Sequence, residues 1–466
     1  MCTIKDIGHL FFEREPGRIQ LFRSLHNQQV DLFIEYGTSL ILIMFTKAIK
    51  TILLRALSLK GAKRMYSQKC HQSGHKNILS FRALPLVLLL FLIFSSGCSI
   101  PPFHRDLPSV SPETLIDLSG RPIAEDVLIA QLQNADFILI GESHTNPCDH
   151  RVQNRLIQLC HNNGLSFVVG MEMIPAAKNQ ALKQYNSGDL IPEELRNTLD
   201  WRCIWGHDFA LYKPVLRTIQ QAGYSLYGLN VRPGLVRALR EKGCSGLSQE
   251  EKENMPEDII PVPKAQTQSL RKQFKAHQQF MVTPKTKADE KRFFLVQSLW
   301  DTQMAVQAIK LHGQTKLPVI ILCGTGHVQY GWGIAHRLNI LAPSTSILSI
   351  IPWRKEECPE TKAADIFYFC PAQHRSRLGF TMEFKARGVE IVQVFKGSRA
   401  AQAGLQQGDI LREVGDEPFN EIMDLHHAAI QAMQSSQPLA LTIERDGQKL
   451  SLNLNLQRPK RCPDEL

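Results

Sequence analysis

Two glycine-led turns place a histidine three residues after a glycine: Gly141-Glu142-Ser143-His144 and Gly324-Thr325-Gly326-His327. Each follows a short apolar run, Asp136–Ile140 and Pro318–Cys323, of the kind that forms a buried strand. Two more such runs end on polar groups. Phe167–Met171 leads into Glu172, and Ser225–Leu229 leads into Asn230-Val231-Arg232. In open α/β sheets, functional groups gather just past the carboxyl ends of strands. A single histidine there is commonly a hydrogen-bonded core residue, and a single glutamate commonly serves a helix N-terminus. Two histidine turns together with Glu142 and Glu172 point instead to a working crevice. Two imidazoles and a carboxylate can hold a divalent metal with a position open for water, the second carboxylate acting as general base. A metal-free His/Glu pair can also activate water. The sequence has no G-x-S-x-G, so it offers no nucleophile elbow. Asp301, in SLWDTQM, is suited to reach the site or to orient a histidine.

The elements that must position these residues alternate. Helical patterns occupy His150–Asn162, Ala176–Tyr185, Ala210–Ala222, Gly234–Lys242 and Lys287–His312, and a fifth strand runs over Ser346–Ile351. Strand–helix alternation predicts an α/β fold, a parallel sheet with helices on both faces, over residues 121–352. Gly243–Pro263 is polar and reads as an excursion or lid. Residues 353–375 are expected to be a linker. Beyond it, Gly379–Phe384, Val389–Val394, Asp409–Val414 and Leu439–Arg445 read as short strands and Met423–Gln434 as a helix, a small α+β domain over 376–458 with a tail at 459–466.

The N-terminal part reads as an address. Leu84–Phe94 (LPLVLLLFLIF) is apolar and too short to span a bilayer comfortably. Lys69, Lys76 and Arg82 precede it, and Ser95-Ser96-Gly97-Cys98 follows, which is the order of a secretory signal over 65–97. A cysteine directly after small residues resembles a bacterial lipobox, so Cys98 is the expected lipidation site, despite Ser95 where leucine is usual. Ser99 after the cysteine favours the outer membrane by resemblance to lipoprotein sorting. Residues 98–120 would then tether the first domain. Residues 1–64 fit no part of the signal, and one beginning at Met65 has ordinary proportions.

Charge follows the same division. The chain carries a net +10, but residues 1–97 hold 13 Lys/Arg against 5 Asp/Glu, most of that excess. The remainder is nearly neutral, so no nucleic-acid partner is implied. The eleven cysteines include no C-x-x-C pair, which argues against a zinc ribbon or a redox dithiol. In an oxidising compartment some would pair, Cys358 with Cys370 being one candidate.

Taken in order, GESHTNPCDHRVQNRL, GMEM, LDWRCIWGHDFALYKPVL, GLNVRP, SLWDTQMAVQAI and GTGHVQYGWGIAHRL closely resemble the ChaN-like haem-binding lipoproteins of the Tiki superfamily over residues 120–352. The resemblance implies haem binding linked to iron uptake, with haem held at or between protomers and a cofacial pair across a homodimer. The wider superfamily includes metal-dependent peptidases whose two G-x-x-H histidines match His144 and His327. It also shares features with the erythromycin-esterase-like proteins. Haem iron accepts imidazole or phenolate, and propionates favour Arg or Lys. The candidate axial ligands are therefore His144, His327, His207 and Tyr212, the last matching the family's tyrosine. Trp205 and Phe209 are candidates for an apolar wall, and Arg232 and Arg151 for propionate partners, with Asn230 nearby. The family often has two histidines after its N-P, where this chain has Asp149-His150. No C-x-x-C-H occurs, which excludes covalent haem attachment.

Arg377-Leu378-Gly379-Phe380 and the later run VFKGSRAAQAGLQQGDILREVGDEPF resemble a PDZ domain. The resemblance implies that the amides of Leu378, Gly379 and Phe380 cradle a peptide's C-terminal carboxylate, that the following strand adds the peptide as a β-strand, and that Leu425 and His426 open the helix lining the groove. Three readings stay open at this point: an envelope lipoprotein binding haem or a metal, a metal-dependent hydrolase fed by the PDZ domain, and a scaffold.

Overall fold

The computed structural model describes residues 110–278, 286–354, 359–456 and Cys462. The leader, Cys98 and Cys358 lie outside the described residues. Seven strands form the first sheet: β1 (Leu115–Ile116), β2 (Phe137–Glu142), β3 (Val168–Pro175), β4 (Ser225–Asn230), β5 (Val319–Gly324), β6 (Ile347–Trp353) and β7 (Ile366–Phe369), in the order β1-β7-β6-β2-β5-β3-β4. All pairings are parallel except β1 with β7, so the sheet is mixed at one edge rather than wholly parallel.

Alternation along the central strands sends side chains into two cores. Ile138, Ile140, Ile320 and Leu322 face one, packed against the helices Pro147–Asn162 and Phe209–Gln221. Phe137, Leu139, Val319 and Ile321 face the other, packed against Lys287–Thr315 and Ile334–Leu341. Apolar residues on both faces are what a sheet covered by helices on both sides requires.

Register then decides where the chemistry lies. β2 and β5 run side by side from Phe137↔Val319 to Glu142↔Gly324, and β3 joins the other edge of β5 with Val168↔Val319. The ends of these strands therefore lie level, and Glu142, Glu172 and both histidine turns emerge together.

The segment expected as a linker is structured. β7 closes the first sheet, and β8 (Gln373–Ser376) belongs to the second, with β9 (Phe380–Lys385), β10 (Gly388–Val394), β11 (Ile410–Val414), β12 (Glu417–Pro418), β13 (Leu439–Arg445) and β14 (Gln448–Leu454). This antiparallel sheet has the order β14-β13-β11-β10-β9-β8, with β12 on β11, and shares a separate core with the helix Ile422–Ser435.

Cys370 pairs with Cys148, not with Cys358, and a second bridge joins Cys203 to Cys462. Each ties a segment flanking the second sheet to the first domain. Cys148 begins a buried helix whose core packing brings it to the end of β7, a long-range proximity that cysteine spacing does not encode. We expect the Cys148→Ser/Cys370→Ser variant to lose about 2–5 kcal/mol of stability. Thermal melts of wild type and variant check this, and coincident melts would contradict it.

Candidate functional site

Glu142 is fully buried at the end of β2 and is the hub of one cluster. His144 Nδ1 lies 2.9 Å from its Oε1, and His150 Nδ1 lies 2.8 Å from its Oε2. The Tyr212 hydroxyl donates to Oε1 (3.0 Å), and Trp205 Nε1 donates to that hydroxyl (3.0 Å). Burial works against the Glu142 charge, but the charges and hydrogen bonds of His150 and His144 outweigh it and hold the carboxyl down at about 2. In return, Glu142 raises both imidazoles against the opposing effect of burial.

The second cluster is a line. His327 Nδ1 meets Asp301 Oδ1 at 2.6 Å, its Nε2 lies 3.3 Å from Glu172 Oε1, and the Gly324 amide donates to Glu172 Oε2 (2.7 Å). Burial disfavours charge on both His327 and Glu172. Even so, the carboxylates raise His327 well above its ordinary value, and His327 and His144 hold Glu172 down at about 2. Arg337, fully buried, lies 3.5 Å from Asp301 Oδ2 and donates to the carbonyls of Trp332, Gly333 and Ile260.

Gly324 joins the two clusters. A Cβ there would lie 2.8 Å from His144 Cε1, so only glycine lets the two turns close on each other. Gly333 has the same role behind His327, since a Cβ would lie 2.2 Å from the His327 carbonyl oxygen.

A cleft of about 890 Å³ opens over these groups. That is the size class of cofactor sites. Glu142, His144, Glu172, Asn230, Trp205 and His327, all candidates from the sequence, line it. His144 is partly exposed, and its Nε2 has no partner among the described residues. Its ring meets Trp205 edge-on at 4.7 Å and lies 5.3 Å from the ring of His207. Burial, then the charges of His144 and Arg377, push His207 down to about 4, so it is neutral at physiological pH. Among the described residues, no group of three or more His, Cys, Asp or Glu could hold a metal ion.

Several expected residues stand elsewhere. Tyr212 lies under the floor, fully buried, its hydroxyl committed to Glu142 and Trp205, so it is not presented as an axial ligand. Phe209 is core as well, edge-on to Trp201. Arg151 pairs with Glu113 (2.5 Å), half exposed on its helix. Arg232, just before the helix Pro233–Lys242, is exposed and outside the cleft lining. The arginines that line the cleft are Arg237 and Arg240 on that helix, the second with its guanidinium 5.6 Å over the Trp300 ring. Their i,i+3 spacing after GLNVRP was the available signal. His150 was also missed as a partner of Glu142. Its neighbour Asp149 is buried and takes both guanidinium nitrogens of Arg354, at 2.8 and 2.6 Å.

The residues expected at the peptide site divide between core and surface. Leu425 is buried in the core of the second domain, and His426 is exposed. Phe380 is buried and pairs in the sheet. The Leu378 amide donates to Ser376 Oγ and the Gly379 amide to the Ser376 carbonyl, both at 3.1 Å, so the cradle is filled by the chain itself.

Residues 128–338 match the family described as haem-binding uptake, Tiki superfamily, ChaN, and residues 376–456 match the PDZ domain family. A ChaN structure from Campylobacter jejuni, described as showing cofacial heme binding, is 20% identical, covers 55% of this chain and 95% of its own, and superposes with a TM-score of 0.44. HhoB of Synechocystis is 40% identical over 79 residues, 17% of this chain. The periplasmic serine endoprotease DegP of Escherichia coli is 33% identical over 84 residues, 18% of this chain. This chain spans about a fifth (18%) of the length of these curated relatives.

Two predictions follow from the buried charges. Asp301→Ala would leave Arg337 uncompensated and should cost about 3–5 kcal/mol, measured by denaturant unfolding; a loss under 1 kcal/mol counts against the pairing. Glu142 is depressed from 4.5, so its stabilisation is present above that pH and fades as pH falls toward about 2. His144 and His150 are raised from 6.5, so their share is complete below that pH and fades as pH rises through their folded values. The melting difference between wild type and Glu142→Gln should therefore peak between pH 4.5 and 6.5. His207, which burial depresses to about 4 against the opposing charge of Glu142, and His374, depressed to about 4 by burial alone, titrate below this window. A difference independent of pH from 5 to 9 would exclude the coupling.

Proposed function

We propose that the cleft of this chain binds haem and that the protein serves iron acquisition at the bacterial envelope, a reading supported by the match of residues 128–338 to the ChaN haem-binding uptake family and of residues 376–456 to the PDZ family. The observation that carries this reading is the partly exposed His144, an imidazole with one nitrogen held by a carboxylate and the other at the cleft. A carboxylate behind an imidazole fixes its orientation and strengthens it as a donor. Bound haem would supply an iron that accepts such a ligand. His144 would be that ligand, and His207, already neutral, lies next to it. Trp205, Trp300, Val231 and Val236 give the cleft apolar walls, and Arg237 and Arg240 would meet the propionates. A lipid anchor at Cys98 would place the domain on the membrane, facing the periplasm. The two disulfides support an oxidising compartment. A dimer holding two haems face to face is part of the same proposal, as is recruitment of a protein partner through the PDZ domain.

Glu142 and Glu172, held down at about 2, and His327, raised well above its ordinary value, are poorly matched to general-base work at neutral pH.

Titration of the full chain with hemin tests the assignment. We expect a Soret shift in wild type, at least tenfold weaker binding with an altered ferric spectrum in His144→Ala, and weaker binding in Arg237→Ala/Arg240→Ala. Tyr212→Phe should keep the wild-type spectrum. Absence of a Soret shift in the wild type would rule out haem binding, and a spectral change confined to Tyr212→Phe would move the ligand from His144.

A further inference from the structure

We propose that the PDZ domain is occupied by its own chain, with β8 as an internal ligand, and that an extended peptide with a free C-terminal carboxylate enters only by displacing β8, which loosens the turn carrying His144.

The sheet order carries the first half. β9 has two edges. β10 takes one, from Val394↔Phe380 to Gly388↔Lys385. β8 takes the other, with Ser376↔Phe380, Arg375↔Thr381, His374↔Met382 and Gln373↔Glu383, and the Phe384 amide donates to the Ala372 carbonyl (3.0 Å). A peptide that augments this sheet needs an edge whose backbone groups are unpaired. β8 stands on the edge left to it, runs antiparallel as a ligand would, and ends at the loop. There the Ser376 carbonyl oxygen and Oγ accept from the Gly379 and Leu378 amides, two oxygens where a terminal carboxylate would offer its two.

The other side of β8 carries the second half. Along an antiparallel strand, backbone groups alternate between its two edges. Away from β9, the Arg375 amide donates to the Thr145 carbonyl (2.8 Å). The Thr145 hydroxyl meets His374 Nδ1 at 2.8 Å, and Arg375 Nε meets Asp208 Oδ2 at 2.8 Å. Thr145 follows His144, and Asp208 follows His207. The Cys148–Cys370 bridge anchors the chain just before β8. One strand therefore fills the peptide edge and braces the cleft. A competing peptide binds with an affinity reduced by the fraction of molecules in which β8 has left. This proposal is independent of haem, so a failed hemin titration leaves it standing.

The test uses the full chain and a fluorescently labelled hexapeptide of the sequence Pro371–Ser376 with a free carboxylate. In wild type, the Phe384 amide should exchange slowly with deuterium and the peptide should bind weakly. In His374→Ala/Arg375→Ala, Phe384 should exchange fast, the peptide should bind at least tenfold tighter, and bound peptide should slow Phe384 again. Adding peptide to wild type should speed exchange over Ser143–Asn146. Thr145→Ala, which leaves β8 unaltered, is read the same way if the double variant does not fold. Fast exchange at Phe384 in wild type overturns the proposal, as does slow exchange in the variants. A variant with β9 open that binds the peptide no better than wild type overturns it too. Equal binding of the amidated peptide removes the carboxylate mimicry on which it rests.

Discussion

A carboxylate buried at the end of a sheet has to be met by positive charge, and this domain has two of them, Glu142 and Glu172, on the strands either side of β5. Much of the surrounding structure can be understood as the response. Three histidines converge on the pair, Asp301 braces one of them, and a buried arginine braces Asp301. Removing any member exposes the next to an uncompensated charge in a medium that screens weakly. The parallel register of β2, β5 and β3 makes this possible, because strands ending level bring residues 142, 172 and 324 to one place. Glycine at 324 and 333 then lets the turns pack without a side chain between them.

The arrangement separates two tasks that the residue types alone leave confounded. Tyr212 and His150 lie beneath the floor and hold Glu142 from behind, with Trp201 packed against Tyr212. His144, Trp205, Trp300 and the arginines of one helix face the cleft. A histidine held by a buried carboxylate is oriented before any ligand arrives, which lowers the ordering cost of binding.

Much of this was legible in the chain. The apolar runs marked the strands because burial on both faces leaves no polar alternation, and residues ending those runs line the cleft. Less visible was anything set by the lateral position of one element against another. Arg232 and Arg237 differ by little more than a helical turn, yet only the second lines the cleft. Tyr212 has the right chemistry for iron, but its helix face turns it into the core. Residues 353–375 looked like a linker because strands of four residues leave little periodicity to detect. Cys370 found Cys148 across 222 residues, a choice made by β7 closing the sheet. The PDZ motif was readable from its glycine loop, whereas the occupant of its edge depended on where the preceding four residues went.

The two bridges also impose an order on assembly. Cys203 and its partner are 259 residues apart. At ribosomal speeds of ~5–20 residues per second, Cys203 waits on the order of ten seconds or more for Cys462 to be made. Throughout that interval it is a thiol beside an apolar segment, in a chain that also carries Cys160 and Cys323. Maturation is thus a problem of timing as much as of packing: the first domain must bury Cys160 and Cys323 before the wrong pair forms.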